Sequence, residues 1–527
     1  MSTTIDVESQ SPPQLARAPL PNVAPCTVVI FGASGDLARS KLIPAFFNLA
    51  CEGCPSGEFN VLGVGRTEMT DEKFQVQMRD AVSSAKDARG FTDERWAEFA
   101  KRLRYLTGDP SDDGVHKEIA ARLEEMYTNK ADDVARNYLF YLSTPSSVAK
   151  QIIVGLGAAG LASEERGWSR IIIEKPFGRD LDSARELNET VERVFTEQQV
   201  YRIDHFLGKE TLQNLLVFRF GNGLFEPLWN RNYVDYVEIT AAENLGVGSR
   251  AAFYEETGAL RDVIANHLLQ VLTLTAMEPP VAFDADAVRE KKLEVLRSIQ
   301  PMRPKEVRER TVRGQYIRGD VEGESVPGYR EEKKVAKDSR METFAAIQFQ
   351  IDNWRWAGVP FYLRSGKHLT GKLTEIAVHL KRTPQALFAH THEGEGKVHD
   401  IEPNVIVVQI QPQEAIRISF GAKLPGVKME TGTVELAFNY ESTFHRRSPD
   451  AYETLLLDAI QGDPTLFTRR DEVEEQWRLI TPIEEAWASG ESAPPIAFYE
   501  AGTNGPAEAD ALLARNGHTW RHIDGKH

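Results

Sequence analysis

The chain has 527 residues, of which 41% are hydrophobic and 27% are charged. This length exceeds the roughly 100–200 residues of one ordinary core, so we expect at least two domains. The hydrophobic content is sufficient for packed cores, so gross disorder is excluded. The 62 Lys and Arg against 78 Asp and Glu give a formal charge of −16, which argues against a general nucleic-acid binder. No run approaches the roughly 18–20 apolar residues of a membrane span, so we expect no membrane partner.

The first 25 residues are polar and contain prolines, and they lack the basic and then apolar pattern of a signal peptide. We predict a flexible extension over residues 1–25. The three cysteines, Cys26, Cys51 and Cys54, exclude a disulfide framework and favour a reducing, cytoplasmic location. Cys51 and Cys54 have the spacing of metal ligands, but no second Cys or His pair completes a tetrahedral site, so we predict no metal.

Between Thr27 and Arg202, short β-branched runs alternate with longer segments of helical period. The predicted strands are Thr27–Phe31, Asn60–Gly65, Leu139–Leu142 and Arg170–Ile173, and the helices between them include Asp71–Val82 and Val115–Met126. Strands that alternate with helices predict parallel βαβ units in a doubly wound sheet.

Beyond Arg202 several strands follow one another with short connections, which predicts a large, mainly antiparallel sheet. These strands are Val234–Thr240, Phe344–Phe349, Glu375–Leu380, Val405–Ile410 and Ala415–Phe420, with helices at Ala259–Met277 and Pro449–Ile460. The charge-rich segment Arg289–Arg310 is interpreted as a solvated helix with a flanking loop. The chain therefore divides into an α/β domain at 26–202 and an α+β domain at 203–527.

The first predicted strand ends in a glycine turn, Gly32–Ala38, with the sequence GASGDLA, and a helix follows it. Such a turn lets the backbone approach a pyrophosphate, whose charge is met by the N–H groups of the helix N-terminus. The residues expected to contact a dinucleotide are Gly32, Ser34, Gly35, Asp36 and Leu37. The turn departs from the common G-x-G-x-x-G fingerprint, and a tight strand–helix turn without a ligand is the alternative.

Arg66 follows the second predicted strand, where sites for NAD usually have an acidic residue that binds the ribose. An arginine can instead bind a 2′-phosphate through two hydrogen bonds, so we predict NADP as the cofactor. Lys175, in Glu174–Gly178 (EKPFG), follows the strand Arg170–Ile173 and is expected to point into the crevice where ligands bind. Simple pairing of Lys175 with Glu174 is the alternative.

The segment Arg202–Glu210 contains five ionisable residues within nine positions. On a helix, His205 and Lys209 would lie four residues apart on one face, which suits a phosphate monoester. Asp204 lies beside them and is available as an orienting carboxylate.

His267 lies in an otherwise apolar helical segment, Gly258–Gln270. Either it is a buried core histidine, or it is a general base that needs a carboxylate partner to fix its tautomer. Asp262 lies five residues earlier, about 140° around an ideal α-helix, so Asp204 is the better partner and Asp262 is interpreted as a polar ligand.

These motifs resemble the glucose-6-phosphate dehydrogenase family from Cys26 to about Ile523. The similarity is carried by Gly32–Ala38, Arg202–Glu210, Arg261–Gln270, Glu174–Gly178 and Arg364–Lys367. The family has a Rossmann-type coenzyme domain and a β+α domain whose large sheet supports subunit association, so a homodimer or homotetramer is implied. The implied reaction is oxidation of D-glucose 6-phosphate to 6-phospho-D-glucono-1,5-lactone with NADP, the first step of the oxidative pentose phosphate pathway.

The resemblance also implies roles for individual residues. His267 would be the base and Asp204 would complete its dyad, while His205 and Lys209 would bind the sugar phosphate. Lys175 would lie between substrate and nicotinamide. The remaining implied substrate ligands are Glu243, Asp262, Lys367 and Lys372. The family's usual tyrosine in R-I-D-H-Y is Phe206 here, which removes a hydroxyl near the phosphate.

Two other functions are compatible with parts of the pattern. An enzyme of the glucose–fructose oxidoreductase class also combines a dinucleotide domain, a Glu-Lys-Pro motif and an antiparallel sheet. The chain length and the pair His205 and Lys209 count against it. A dinucleotide sensor without catalysis is expected to have lost His267, Asp204 or Lys175, and all three remain.

Overall fold

The computed structural model describes residues 3–5, 23–53, 59–85, 88–127, 134–385, 387, 401–427, 429–445, 448–489 and 493–523. Two large sheets organise these residues, a six-stranded one in the N-terminal part and a ten-stranded one in the C-terminal part, and Gly319–Val321 pairs with Glu324–Val326 in a small antiparallel hairpin. Cys54 lies outside the described residues. No helix in the described part of the chain is both long and apolar enough to cross a bilayer.

The N-terminal sheet is fully parallel. Across the sheet its strands are Leu103–Thr107, Phe59–Gly65, Cys26–Phe31, Asn137–Leu142, Ser169–Ile173 and Val200–Arg202. This order, third, second, first, fourth, fifth and sixth along the chain, is that of a Rossmann dinucleotide-binding domain. The predicted fold class is confirmed. The four predicted strands are present within one or two residues, whereas Leu103–Thr107 and Val200–Arg202 were not predicted.

Helices cover both faces of this sheet, because alternate residues of its central strand point into different cores. Val29 and Phe31 belong to one hydrophobic cluster, and Val28 and Ile30 belong to another. The covering helices are Ile43–Cys51, Asp71–Ser84, Asp93–Ala100, Asp113–Tyr127, Ser146–Ala158 and Leu181–Glu192, with a π-helical turn at Ala38–Leu42.

The helix Asp71–Ser84 shows how the local sequence sets these elements. The Thr70 hydroxyl caps it by accepting from the backbone N–H of Lys73, and Phe74, Met78 and Val82 bury one face at a spacing of four.

The C-terminal sheet is mixed, with six antiparallel and three parallel neighbouring pairs among the described strands. Its order is Thr3–Ile5, Thr431–Asn439, Ala415–Lys423, Val405–Gln411, Leu373–Leu380, Val234–Ala242, Pro360–Gly366, Phe344–Gln350, Thr311–Ile317 and Ile496–Glu500. All five strands predicted for this region are present. Thr3–Ile5 falls within the segment expected to be flexible, and residues 6–22 lie outside the described residues.

Helices flank this sheet and also connect it to the first domain. They are Glu210–Phe220, Ala251–Ala259, Leu260–Leu268, Leu269–Ala276, Ala285–Arg297, Pro304–Arg310, Tyr440–Phe444, Ala451–Gln461, Arg470–Ala488 and Ala507–Ala514. Leu455 and Leu456 of Ala451–Gln461 pack in the same cluster as Val28 and Ile30, so this late helix folds back onto the parallel sheet.

The prediction of a solvated helix over Arg289–Arg310 is wrong for the helix Ala285–Arg297. Lys292 is 1% exposed and pairs at 2.9 Å with Glu472, which is fully buried on the helix Arg470–Ala488. A buried ammonium needs such a partner, and this one lies 180 residues further along the chain, beyond what a local charge pattern indicates.

Candidate active site

The expected ligand-binding residues of the first domain follow neighbouring parallel strands at one edge of the sheet. Arg66, Gly32 and Lys175 come after Phe59–Gly65, Cys26–Phe31 and Ser169–Ile173, respectively. Three strand spacings of about 4.8 Å separate the strand before Arg66 from the strand before Lys175, about 14 Å in all. The carboxyl ends of such strands form the crevice in which doubly wound sheets bind ligands.

The glycine turn has the backbone that close approach to a ligand requires. Gly32 has φ +82°, and a Cβ there would lie 2.3 Å from the carbonyl oxygen of Ser143, so a side chain is excluded. The N–H groups of Gly32 and Ala33 donate to the Val64 carbonyl, which holds the turn against the neighbouring strand. Gly35 and Asp36 are exposed at the start of the helical segment.

Arg66 is exposed beside this turn and has no hydrogen bond or ion pair with any described residue. The next residue, Thr67, donates its hydroxyl to Ser34 Oγ at 3.3 Å, which links the two strand ends. A cofactor with a 2′-phosphate therefore fits the residues present, because a free guanidinium stands beside a turn that no side chain fills.

His267 and Asp204 form a buried pair, as predicted. His267 Nδ1 lies 2.5 Å from Asp204 Oδ1, and each residue is 3% exposed. Asp204 Oδ1 also accepts from the backbone N–H of Phe206 at 2.9 Å. Burial alone would raise the pKa of Asp204, but the charge and the hydrogen bond of His267 outweigh it and lower this pKa below its usual value.

The helix predicted through Arg202–Glu210 is wrong. Residues 205–208 form turns, and the helix begins at Glu210 with Lys209 as its N-cap. The Asp204 side chain bonds the backbone two residues ahead, which favours a turn over a helix. His205 and Lys209 therefore do not share a helical face.

His267 lies on a π-helical segment, Leu260–Leu268, rather than on an α-helix. Residues five apart lie nearly above one another in a π-helix, so the angle of 140° that was used to exclude Asp262 does not apply. The conclusion holds for another reason, because Asp262 is engaged elsewhere. Lys175 Nζ donates to its Oδ1 at 3.0 Å and to its carbonyl at 2.9 Å.

Lys175 forms its ion pair with Asp262 and not with Glu174, which was the alternative that the sequence left open. The Glu174 carboxylate instead accepts from the hydroxyl of Tyr141 at 2.5 Å. Burial opposes ionisation of Asp262, but the charge of Lys175 outweighs it and lowers the pKa of this carboxyl. A second lysine–carboxylate pair, Lys367 with Glu243, lies close enough for Lys367 to act on Asp262 as well.

Two aromatic rings pack against the His267 imidazole. Phe206 stacks on it with centroids 4.2 Å apart and planes 8° apart, and His205 lies edge-on at 4.6 Å. Burial, together with the charges of His267 and Lys175, lowers the pKa of His205 well below its usual value. His205 is therefore a neutral N–H donor in the free protein, and not the cation that the sequence suggested.

Lys209 and Lys372, predicted from separate parts of the sequence, line one cleft of about 380 Å³. The cleft is also lined by Lys41 and Arg89 from the first domain and by four carboxylates, Glu414, Glu441, Asp450 and Glu453. Lys41 pairs with Asp450 and Arg89 with Glu453, whereas Lys209 and Lys372 form no ion pair with a described residue and are available to an anionic substrate.

Tyr452 was missed by the sequence analysis, although it lies in the same site. Its ring is parallel to that of His205 at 6.4 Å, and its hydroxyl donates to Glu174 at 3.3 Å. Tyr452 is 247 positions after His205, and nothing in its local sequence marks it. Lys41 carried a weak signal, because it follows the glycine turn on the same helical segment.

The fold and the site together define a dinucleotide-dependent oxidoreductase with a buried His–Asp pair. Comparison with known proteins specifies the family. Residues 29–214 match the family model "Glucose-6-phosphate dehydrogenase, NAD binding domain", and residues 216–521 match "Glucose-6-phosphate dehydrogenase, C-terminal domain". The chain belongs to the glucose-6-phosphate dehydrogenase family.

Similar proteins span the full chain. Glucose-6-phosphate 1-dehydrogenase of Aggregatibacter actinomycetemcomitans is 45% identical over 95% of this chain and 98% of its own, and that of Chlamydia pneumoniae is 44% identical over 94% and 96%. A solved glucose-6-phosphate dehydrogenase in complex with its substrate glucose-6-phosphate has a TM-score of 0.83 at 36% identity, over 95% of this chain and all of that one. The enzyme from Mycobacterium avium gives 0.78 at 36% identity, over 94% and 99%. The glucose–fructose oxidoreductase alternative is not favoured.

Proposed function

We propose that this protein oxidises D-glucose 6-phosphate to 6-phospho-D-glucono-1,5-lactone with NADP, and that Asp204 and His267 form its catalytic base. The observation that carries the proposal is the buried 2.5 Å contact between His267 Nδ1 and Asp204 Oδ1. Asp204 accepts a hydrogen bond from the Nδ1–H group and thereby leaves Nε2 as the basic nitrogen. Nε2 has no hydrogen-bond partner among the described residues and is available to the anomeric hydroxyl of the sugar.

In the first step, His267 Nε2 takes the proton of the C1 hydroxyl, and Asp204 stabilises the imidazolium that forms. When bound, NADP supplies the nicotinamide ring that accepts the hydride from C1. The cofactor would be held by Gly32, Ser34, Gly35, Asp36 and Leu37 of the turn, by Arg66 at the ribose 2′-phosphate and by Lys175 at the nicotinamide end. The protein contributes chiefly by holding C1 and the cofactor in register.

The substrate's phosphate would be bound by Lys209 and the neutral N–H of His205, with Lys372 approaching from the loop that precedes the strand Leu373–Leu380. The carboxylates of Glu243 and Asp262 would accept from ring hydroxyls. Each is tied to a lysine, Lys367 and Lys175, which fixes its position before the sugar binds.

We infer that the protein is a homodimer or homotetramer. The outer strands of the large sheet, Ala415–Lys423 and Thr431–Asn439, are only half-buried. Large apolar side chains are exposed near them, namely Leu424, Val427, Met429, Leu436 and Phe444. Such a patch suits an interface between copies of the chain.

A cytoplasmic location is supported by the cysteines, since Cys26 and Cys51 are both free thiols. The division into domains at 202/203 is supported by the change of sheet, and the matched family models meet twelve residues later, at 214 and 216.

The direct test is reduction of NADP and, separately, of NAD with glucose 6-phosphate or free glucose as the substrate. The proposal expects the highest kcat/KM for glucose 6-phosphate with NADP. A higher kcat/KM for free glucose would instead indicate the glucose–fructose oxidoreductase class.

A further inference from the structure

A cavity of about 620 Å³ lies at the far edge of the large sheet, away from the catalytic cleft. It is lined by four arginines, Arg308, Arg313, Arg330 and Arg340, and by an apolar strip, Ala493–Ile496 with Phe498. No carboxylate belongs to this lining, although the chain as a whole has a net charge of −16. A local concentration of guanidinium groups on an acidic protein favours an anionic ligand.

Arg313 is the buried member of this group. It is 5% exposed, and it donates from Nε to the Pro494 carbonyl and from Nη1 to the Trp487 carbonyl, both at 2.9 Å. These are neutral acceptors, and burial together with the charge of Arg340 lowers the pKa of Arg313, although the charge of Glu342 acts in the opposite direction. A buried charge without a hydrogen-bonded counter-charge is costly, and a bound anion would reduce that cost.

Arg308 and Arg340 are exposed at the mouth and form no ion pair with any residue that the structure describes. A neighbouring cavity shares Arg313 and Arg340 and is also lined by Glu255, Glu342 and Glu484. Glu484 pairs with Arg261 and Glu342 accepts from the backbone N–H of Leu260, although Glu342 remains close enough to act on Arg313.

We propose that the cavity lined by Arg308, Arg313, Arg330 and Arg340 binds a small anion that carries a diphosphate group. Arg308 and Arg340 have no ion-pair partner among the described residues, and Arg313 and Arg330 keep the N–H groups that do not donate to Pro494, Trp487 and Gln315. Together these donors match two adjacent phosphates better than one carboxylate. The source is either inorganic pyrophosphate or an organic diphosphate whose remaining part contacts the strip next to Phe498.

Calorimetric titration of pyrophosphate and, separately, of ADP into the full-length protein at 0.15 M KCl tests the proposal. We expect saturable binding of at least one of them, weakened tenfold or more in Arg308→Ala/Arg340→Ala. The matched control, Arg122→Ala/Arg193→Ala, removes two exposed arginines of the first domain and should change the affinity less than twofold. Because Arg308 and Arg340 belong to the second domain, a loss of affinity in their double variant separates this site from the cofactor crevice.

Tighter binding of ADP than of pyrophosphate would identify the organic source, and equal or weaker binding would identify the inorganic one. Binding that is unchanged in the double variant, or no saturable binding of either probe, would overturn the proposal. Both variants change exposed side chains, so loss of folding is not expected to obscure the result.

A second inference concerns a small cavity of about 20 Å³ behind the catalytic pair. Asp204, Gln270, Gln476 and Arg202 all line it. Each of them has a buried polar atom without a hydrogen-bond partner in the described structure, namely Asp204 Oδ2, Gln270 Nε2 and Oε1, Gln476 Nε2 and Arg202 Nε. Unpaired buried polar groups are costly and rare, so this convergence on one cavity requires an explanation.

A cavity of this size accommodates one water molecule, which needs about two to four polar partners. The geometry points to a buried water that donates to Asp204 Oδ2 and is held by Gln270 and Gln476. Gln270 and Gln476 are then positioning residues, because they act on the base only through Asp204. Their effect is to stabilise the Asp204 carboxylate and hence the imidazolium that His267 becomes.

The test is Gln270→Met, which keeps the volume but removes both polar atoms, with Gln409→Met at another buried glutamine as the control. We expect a 3- to 30-fold lower kcat, a KM within twofold, and an acidic limb of kcat/KM displaced to lower pH, since the imidazolium is less stabilised. Gln270→Glu should restore part of the kcat. A merely structural role would lower the melting temperature and leave the limb in place, and that outcome would overturn the inference.

Discussion

The two ends of the active-site crevice differ in how their side chains are satisfied. At the catalytic end, Asp204 is bonded to His267 and Asp262 is bonded to Lys175, and both carboxylates are almost fully buried. At the cofactor end, Arg66 is exposed and forms no hydrogen bond or ion pair in the described part of the chain, although its charge acts on Asp109.

The difference is one of preorganisation: protein contacts fix the side chains at the catalytic end, whereas a bound cofactor must fix the arginine at the cofactor end. The buried pairs are held by protein contacts, so their geometry exists before the substrate arrives and is available to the transition state. The exposed arginine gains a partner only when the cofactor binds. Substitutions at the catalytic end should therefore lower kcat, whereas substitutions at the cofactor end should raise KM.

The strongest test of this contrast is His267→Asn at the catalytic end. Loss of a general base typically costs ~10²–10⁴-fold in rate, and we expect a fall in kcat of that order with binding of glucose 6-phosphate retained. Initial rates and calorimetric titration of the substrate measure the two quantities. His445→Asn, at an exposed histidine, is the matched control and should keep the wild-type kcat.

Asp204→Asn should also lower kcat and displace the acidic limb of the pH profile, because the pair loses its negative charge. A His267→Asn enzyme with a kcat within a few-fold of wild type would show that another residue is the base.

At the cofactor end, Arg66→Ala should raise the KM for NADP. A charge-assisted contact to the 2′-phosphate is worth on the order of 1.5–3 kcal/mol, or about 10- to 150-fold. The KM for NAD, which lacks this phosphate, should barely change, and kcat should be retained. Arg79→Ala removes an exposed arginine elsewhere in the same domain and serves as the control. Equal changes for both cofactors would contradict the role of Arg66 in selecting NADP.

The pKa of His205 gives a prediction for stability. Because it is lowered in the folded protein, the unfolded chain takes up a proton near pH 6.5 that the folded chain does not, so His205 costs stability as the pH falls below about 6.5. His205→Gln removes this cost. Between pH 8 and pH 5.5, the free energy of unfolding of the variant, measured with urea, should therefore rise by about 1 kcal/mol relative to that of wild type.

His445→Asn should show no such pH-dependent gain. If the free energies of unfolding of His205→Gln and wild type differ by the same amount at both pH values, His205 titrates alike in the folded and unfolded chains.

Much of this site could be predicted from the sequence because its signals are local. The glycine turn, Arg66 and Lys175 each follow a recognisable strand, and the parallel sheet brings strand ends to one edge. The pairing of Asp204 with His267 could be predicted because an imidazole base needs a carboxylate partner. The α-helix that was assumed in order to exclude Asp262 was wrong, since this segment is a π-helix.

The rest could not be predicted, because it depends on distant contacts. Tyr452 reaches Glu174 across 278 positions, and Lys292 is buried only because Glu472 meets it. The turn at 205–208 was hidden by residues that also suit a helix, and only the bond from Asp204 to the Phe206 backbone decides between them.

The smallest expected effect concerns Phe206, which stacks on the His267 imidazole but belongs to the segment that we propose binds the phosphate. Phe206→Tyr would add a hydroxyl that can donate to the phosphate, a bond worth about 1.5–3 kcal/mol when it replaces no water. Because a bound water can already satisfy the phosphate, we expect only a several-fold lower KM for glucose 6-phosphate. The kcat should change little, since this contact is similar in the ground and transition states.

Free glucose is the internal control for Phe206→Tyr, because it lacks the phosphate and should gain nothing. Phe206→Leu is the complementary variant, since it removes the ring that lies 4.2 Å from the His267 imidazole. If the ring helps to hold the base, Phe206→Leu should lower kcat for both sugars, whereas Phe206→Tyr should affect only the KM of the phosphorylated one. An unchanged or raised KM for glucose 6-phosphate in Phe206→Tyr would show that the hydroxyl does not reach the phosphate, and position 206 would then belong to the catalytic end of the crevice alone.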